Sequence, residues 1–220
     1  MSIETANSIT ASQVKDMFLY VGEKVIESKP LLTKIDSAIG DGDHGIGMSV
    51  GFTKAAENLK ANEFTTVNDV FKTVGMSMIS SMGGASGVIF GTMFVGGIKG
   101  LEPKTSLDLQ LLASIYDKAL EAIKLRGKAD LGDKTMIDAF QPVVETLKVC
   151  ANKNESLVEG LKQAEIAALQ GVENTKDYVA KFGRAKSLGE RAIGHQDAGA
   201  TTVSIIIKSM KEWLEGQGNE

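Results

Sequence analysis

The chain has 220 residues, 43% of them hydrophobic and 24% charged, with a formal net charge of −4. That length supports a single domain with a full core, and the mild acidity gives no electrostatic case for nucleic acid or an anionic membrane as partner. A lone cysteine, Cys150, excludes an internal disulfide framework and fits a reducing, cytoplasmic setting.

Aromatics make up only 5% of the chain, so the core has to be built from Ala, Leu, Ile, Val and Met, which favours close-packed helices. Residues 1–13 are polar and lack an apolar signal core. Val14, Met17, Phe18, Val21 and Val25 recur at helical spacing, and Pro30 is expected to close that helix.

Next comes Ile35-Asp-Ser-Ala-Ile-Gly40-Asp-Gly-Asp-His-Gly45-Ile-Gly47, with Asp36, Asp41 and Asp43 inside eight residues. Two unit charges about 5 Å apart repel by roughly 3 kcal/mol at an effective dielectric near 20. A fold that gathers all three carboxylates must raise their pKa values or supply cations. Hard oxygen ligands on a bendable glycine-rich backbone suit Mg²⁺. Gly40 to Gly45 formally matches G-x-G-x-x-G, but no strand precedes it and carboxylates fill two of its variable positions. An EF-hand opening at Asp41 would need glutamate where Phe52 stands. Zinc is poorly supplied, with only His44, His195 and Cys150 as further ligands. A solvated acidic turn is the remaining alternative.

Further helices are expected over about 49–61, 66–80 and 88–100. Residues 75–98 carry no charge and are long enough to cross a bilayer, but the polar, glycine-rich centre at 80–87 reads instead as two core helices meeting at a loop. The turn Gly83-Gly84-Ala85-Ser86-Gly87 opens a helix, where bare amides and the helix dipole could hold an anion; a close helix crossing explains the small residues equally well. No Gly-Lys-Ser/Thr follows, so this is not a Walker A loop. Helices are then expected over 106–125, 135–152 with a possible kink at Pro142, 155–179 and 200–216. Thr201 to Ile207 is locally strand-like, but Met210, Trp213 and Leu214 favour helix. The sum is an all-α domain of about eight helices spanning 1–220, without repeat or linker. Two loops, 126–136 and 183–199, mix both charges with glycine, and Arg184 in the second could grip a phosphate through two hydrogen bonds.

Five stretches together carry a resemblance. They are Asp36-x4-Asp41-Gly-Asp43-His44-Gly45, Ser80 to Gly87, Arg126-Gly127-Lys128, Gly132 to Met136, and Leu188-Gly-Glu-Arg191 through Gly194 to Thr201. In this order they resemble, over nearly the whole chain, the nucleotide-binding L subunit of dihydroxyacetone kinase, the DhaL or DAK2 type. The resemblance implies a barrel of eight antiparallel helices holding ADP or ATP in the loops at one end. It implies two Mg²⁺ ions on Asp36, Asp41 and Asp43. It also implies nucleotide contacts at His44, Gly45, Ile46, Gly47, Ala85, Ser86, Gly127, Met136, Arg184, Asp197, Ala198 and Gly199, with Arg184 as the catalytic candidate. Gly47 stands where the family often has Asn, and Ala198 where proline is frequent.

The implied activity is phosphoryl transfer to dihydroxyacetone or a related short ketose held by a separate K subunit. A freestanding chain favours the type in which bound ADP is rephosphorylated in place by a phosphohistidine donor protein. Exchangeable ATP, or an ADP-state module acting on a transcription regulator, are the alternatives. A homodimer is a further expectation.

Overall fold

The computed structural model describes residues 8–217, so part of the polar start of the chain lies outside the described residues. Two three-residue strands and nine α-helices account for most of them, with two short 3-10 segments. In chain order they are β1 (Ser8–Thr10), α1 (Ala11–Glu27), α2 (Lys29–Ile39), α3 (His44–Lys60), α4 (Val67–Ser81), α5 (Gly84–Val95), β2 (Ser106–Asp108), α6 (Leu109–Gly127), α7 (Ile137–Asn152), α8 (Leu157–Asn174) and α9 (Ala198–Gln217). The 3-10 segments, Thr175–Asp177 and Arg184–Ala192, lie between α8 and α9.

The helical reading holds, with five corrections. Pro30 opens α2 rather than merely ending α1, because the first helical positions have no amide bond for proline to lose. Helix α3 begins at His44, five residues before the expected start, so Gly45 and Gly47 are helical and not part of a loop. Helix α5 begins at Gly84 and ends at Val95 rather than spanning the expected 88–100, so Ala85 and Ser86 belong to its first turn. The expected helix over 106–125 starts with β2, which pairs antiparallel with β1 in the register Ile9↔Leu107. Each strand ends in the residue that caps the following helix: Thr10 accepts from the Gln13 amide, and Asp108 from the Leu111 amide. Finally, α8 ends at Asn174 and gives way to 3-10 structure instead of running to 179. The strand-like run Thr201 to Ile207 is helical, inside α9.

Packing follows chain order. Helix α1 lies on α3, α3 on α4, and so on through α9, which returns to α1. Helix α2 packs on α3 and α9. Inside, Phe18 meets Phe71 and Phe94 edge to face, with Phe18 and Phe71 centroids 5.0 Å apart, and Tyr116 and Phe140 continue the column. No helix of the described residues is long and apolar enough to cross a membrane.

The connections sort into two groups. Those before α4 and α6 bond to one another: the Val67 amide reaches the Lys104 carbonyl, and Asn68 bonds to Leu101 and Lys104. The connections into α3, α5, α7 and α9 form the other group, and these carry the five motif stretches.

Candidate metal and nucleotide site

The acidic cluster is assembled by two helices and a turn. Asp36 sits in the last turn of α2, Gly42 adopts a left-handed φ of 77°, and Asp43 precedes the first residue of α3. This path brings one carboxylate oxygen from each of Asp36, Asp41 and Asp43 within 4.8 Å of one another. Burial, then the charges of Asp41 and Asp36, push the Asp43 carboxyl above its usual range. The Nε of Arg184 lies 2.8 Å from an Asp41 oxygen, a cation set against this negative charge.

Three oxygen donors at this spacing fit a hard divalent ion better than a soft one. Asp36 does a second task, accepting a 3.3 Å hydrogen bond from the His44 amide at the start of α3. His44 is half-buried: its Nε2 is 2.8 Å from the Thr202 hydroxyl on α9, and its ring is 5.7 Å from that of Phe90 on α5. Burial lowers its pKa, the Asp36 charge opposing, so the ring is neutral at pH 7.

The candidates on α3 divide. Gly45 is buried, and a Cβ there would lie 2.5 Å from both the Lys29 carbonyl and the Thr33 hydroxyl, so its glycine is required by the α2–α3 approach. Its expected nucleotide contact could be made only by backbone. Ile46 is exposed, and Gly47 faces Met82, the residue that ends α4.

Around the cluster stand three more loops. The first turn of α5 has no side-chain cap, and Ala85 and Ser86 are exposed, so its leading amides are open to an anion. Gly127 closes α6 against Ile89 of α5. Met136 is buried, and a Cβ on Gly199 would lie 3.3 Å from its Cβ, so these two candidates from different loops meet face to face. Asp197 caps α9 by accepting the Ala200 amide at 2.7 Å, and burial pushes its carboxyl up to about 7. Ala198 is buried in the first turn of α9. Arg184 opens the 3-10 segment, after Gly183 with its φ of 66°.

Two residues carry more than the sequence signalled. Lys134, with a left-handed φ of 61°, is 2% exposed, and its ammonium donates to the carbonyls of Thr175 and His195. Asp138, also buried, accepts the amides of Gly132 at 2.6 Å and Thr135 at 2.7 Å, folding the loop before α7 into a compact turn. Both lie in or beside a quoted motif, but neither residue type betrays burial. A groove of about 780 Å³ between α1, α3 and α9, lined by Tyr20 and Trp213, touches none of these residues.

Comparison with known proteins identifies the family. The DAK2 domain family matches residues 38–212. The chain is 37% identical to the ADP-binding subunit DhaL of the PEP-dependent dihydroxyacetone kinase of Escherichia coli, over 92% of this chain and 97% of that protein. It is 43% identical to DhaL of kinase 1 from Listeria innocua, over 86% and 89%. Among solved structures it is similar to the dihydroxyacetone kinase of C. freundii in complex with AMP-PNP and Mg²⁺, with a TM-score of 0.68 and 25% identity. That alignment covers 90% of this chain and 33% of the larger one. The chain belongs to the DAK2 domain family, alongside the DhaL subunits.

Proposed function

We propose that this chain is the nucleotide-binding subunit of a dihydroxyacetone kinase of the phosphotransferase-dependent type. It passes a phosphoryl group from bound nucleotide to dihydroxyacetone, or a related short ketose, on a separate K subunit. The observation that carries this reading is the convergence of Asp36, Asp41 and Asp43 at the start of α3, ringed by the other loops of the family. The relatives matched over nearly their whole length are ADP-binding subunits of PEP-dependent kinases, which favours ADP rephosphorylated in place by a phosphohistidine donor.

Asp36, Asp41 and Asp43 would hold two Mg²⁺ ions; when bound, the metal neutralises phosphate charge and polarises the transferring group. Three carboxylates and a diphosphate sum to about −6 and two Mg²⁺ to +4, leaving the remainder to amides and a cation. The open amides of Ala85 and Ser86 supply the first and Arg184 the second. His44 and Gly45 start the helix that presents the acidic turn, while Gly127, Met136, Ala198 and Gly199 wall the nucleotide on the far side. Ile46 and Gly47 line its edge. No side chain of the protein need be phosphorylated, since in-line transfer asks for positioning and charge stabilisation.

The closed packing order of α1 and α3 to α9 supports a barrel of eight antiparallel helices, with α2 laid beside α3 and α9. We read 1–220 as one such domain, working in the cytoplasm with its K subunit and donor protein.

The test is the nucleotide content of the purified, extensively dialysed protein. Near-stoichiometric ADP, released only with a chelator, is the expected result. A protein that arrives empty and exchanges ATP freely would instead be half of an ATP-dependent kinase. Absence of any nucleotide binding in Mg²⁺ would overturn the reading.

A further inference from the structure

Lys134 presents a chemical puzzle. A lysine ammonium taken out of water loses its hydration, and burial does lower the Lys134 pKa, against the charges of Asp197, Asp138 and Asp177. Among the described residues it makes no ion pair within 4.0 Å. A site that needed only volume would be filled more cheaply by methionine or leucine. The ammonium must therefore be there for the two carbonyls it serves.

Those carbonyls belong to separate segments. Thr175 is the residue that caps the C-terminus of α8, where the last carbonyls lack helical partners and carry the negative end of the dipole. His195 stands just before α9. The same two segments are laced by the Gly194 amide on the Lys176 carbonyl, 2.7 Å, and by the Asp197 amide on the Thr175 hydroxyl, 2.9 Å. Lys134 thus ties both to the loop before α7. Two residues on from Lys134 stands Met136, packed against Gly199. The left-handed backbone at Lys134, a conformation uncommon outside glycine and asparagine, directs its side chain inward.

We propose that Lys134 is a positioning residue for nucleotide retention. Its ammonium holds segment 194–197 against the α6–α7 loop, so that Asp197 and Gly199 stay opposed to Met136, and it does not itself touch nucleotide. The proposal rests on the nucleotide-binding reading given above.

The test uses Lys134→Met, which keeps the apolar stem and removes the ammonium. Three quantities are read: helical circular dichroism, Mn²⁺ affinity of the protein by electron paramagnetic resonance, and the release rate of a fluorescent ADP analogue in Mg²⁺. The expected result is a folded protein with Mn²⁺ affinity within about twofold of wild type and release faster by about tenfold or more. A variant that melts earlier but releases the analogue at the wild-type rate overturns the proposal, since the lysine would then serve the fold alone. Should Lys134→Met fail to fold, Thr175→Val decides, because it leaves both carbonyls that Lys134 serves and removes the hydroxyl that accepts the Asp197 amide and donates to the Val172 carbonyl, loosening the same segment 194–197. Faster release supports the role and unchanged release overturns it. Wild-type protein that binds no analogue would overturn the nucleotide reading and this proposal together, whereas binding that is indifferent to both substitutions overturns the proposal alone.

Discussion

The Nε2 of His44 lies 2.8 Å from the hydroxyl of Thr202, joining the first turn of α3 to α9 across the site. That hydroxyl also lies 3.0 Å from the Ala198 carbonyl, and with its one proton given to that carbonyl the imidazole donates from Nε2. Burial favours the neutral ring, which in this arrangement keeps Nδ1 as acceptor, and its orientation depends on one hydroxyl from a distant part of the chain.

Thr202→Val keeps the shape of the side chain and strands that imidazole proton. It should destabilise the protein by about 1–3 kcal/mol and lower Tm by several degrees. Nucleotide retention should fall with it, because the start of α3 is freed. Differential scanning calorimetry and an ADP release assay check both; an unchanged Tm would remove the bond from the account.

Asp36→Ala takes away one carboxylate of three, relieving repulsion while losing the acceptor for the His44 amide. These effects oppose each other, so Tm in chelator should stay within a few degrees of wild type. The gain in Tm on adding Mg²⁺ and ADP, worth about 2.7 kcal/mol at a hundredfold excess over Kd, should vanish. Retained phosphoryl transfer would sink the metal assignment.

Arg184 is 77% exposed in its contact with Asp41, so Arg184→Ala should change stability by less than about 1 kcal/mol. Transfer to ketose should slow by about a hundredfold, with nucleotide release altered far less. If only release accelerates, Arg184 binds nucleotide and has no part in stabilising the transferring group.

Asp197 titrates at about 7 in the folded chain against about 4 unfolded, so the unfolded state gives up its proton first as pH rises. Its contribution is favourable in acid, is lost between about pH 4 and 7, and stays lost above. Asp197→Asn keeps a capping side chain at the start of α9. Relative to wild type it should be more stable at pH 8 by on the order of 1–3 kcal/mol and no more stable at pH 4. Denaturant melts at the two pH values test the sign, and an equal gain at both would show that charge is not the cause.

Much of the site was legible along the chain because its ligands are local. Asp36, Asp41 and Asp43 are close in sequence, and a glycine-rich turn lets the backbone bring them together. The exposed first turn of α5 was equally visible, as a small-residue run opening an apolar helix. Helices long enough to repeat their apolar face were found for the same reason, whereas β1 and β2, three residues each, carry no period to read.

What sequence alone determined, then, is the helical class, the acidic turn and the family resemblance of its motifs, all properties of residues near one another in the chain. The tertiary structure decided the rest. It placed Thr202 on His44 and Met136 on Gly199, assigned Gly45 to the α2–α3 approach, and buried Lys134 under carbonyls 41 and 61 residues away. Such pairings depend on which helix packs beside which, and a residue's own type and neighbours hold no record of a partner that arrives only when the packing closes.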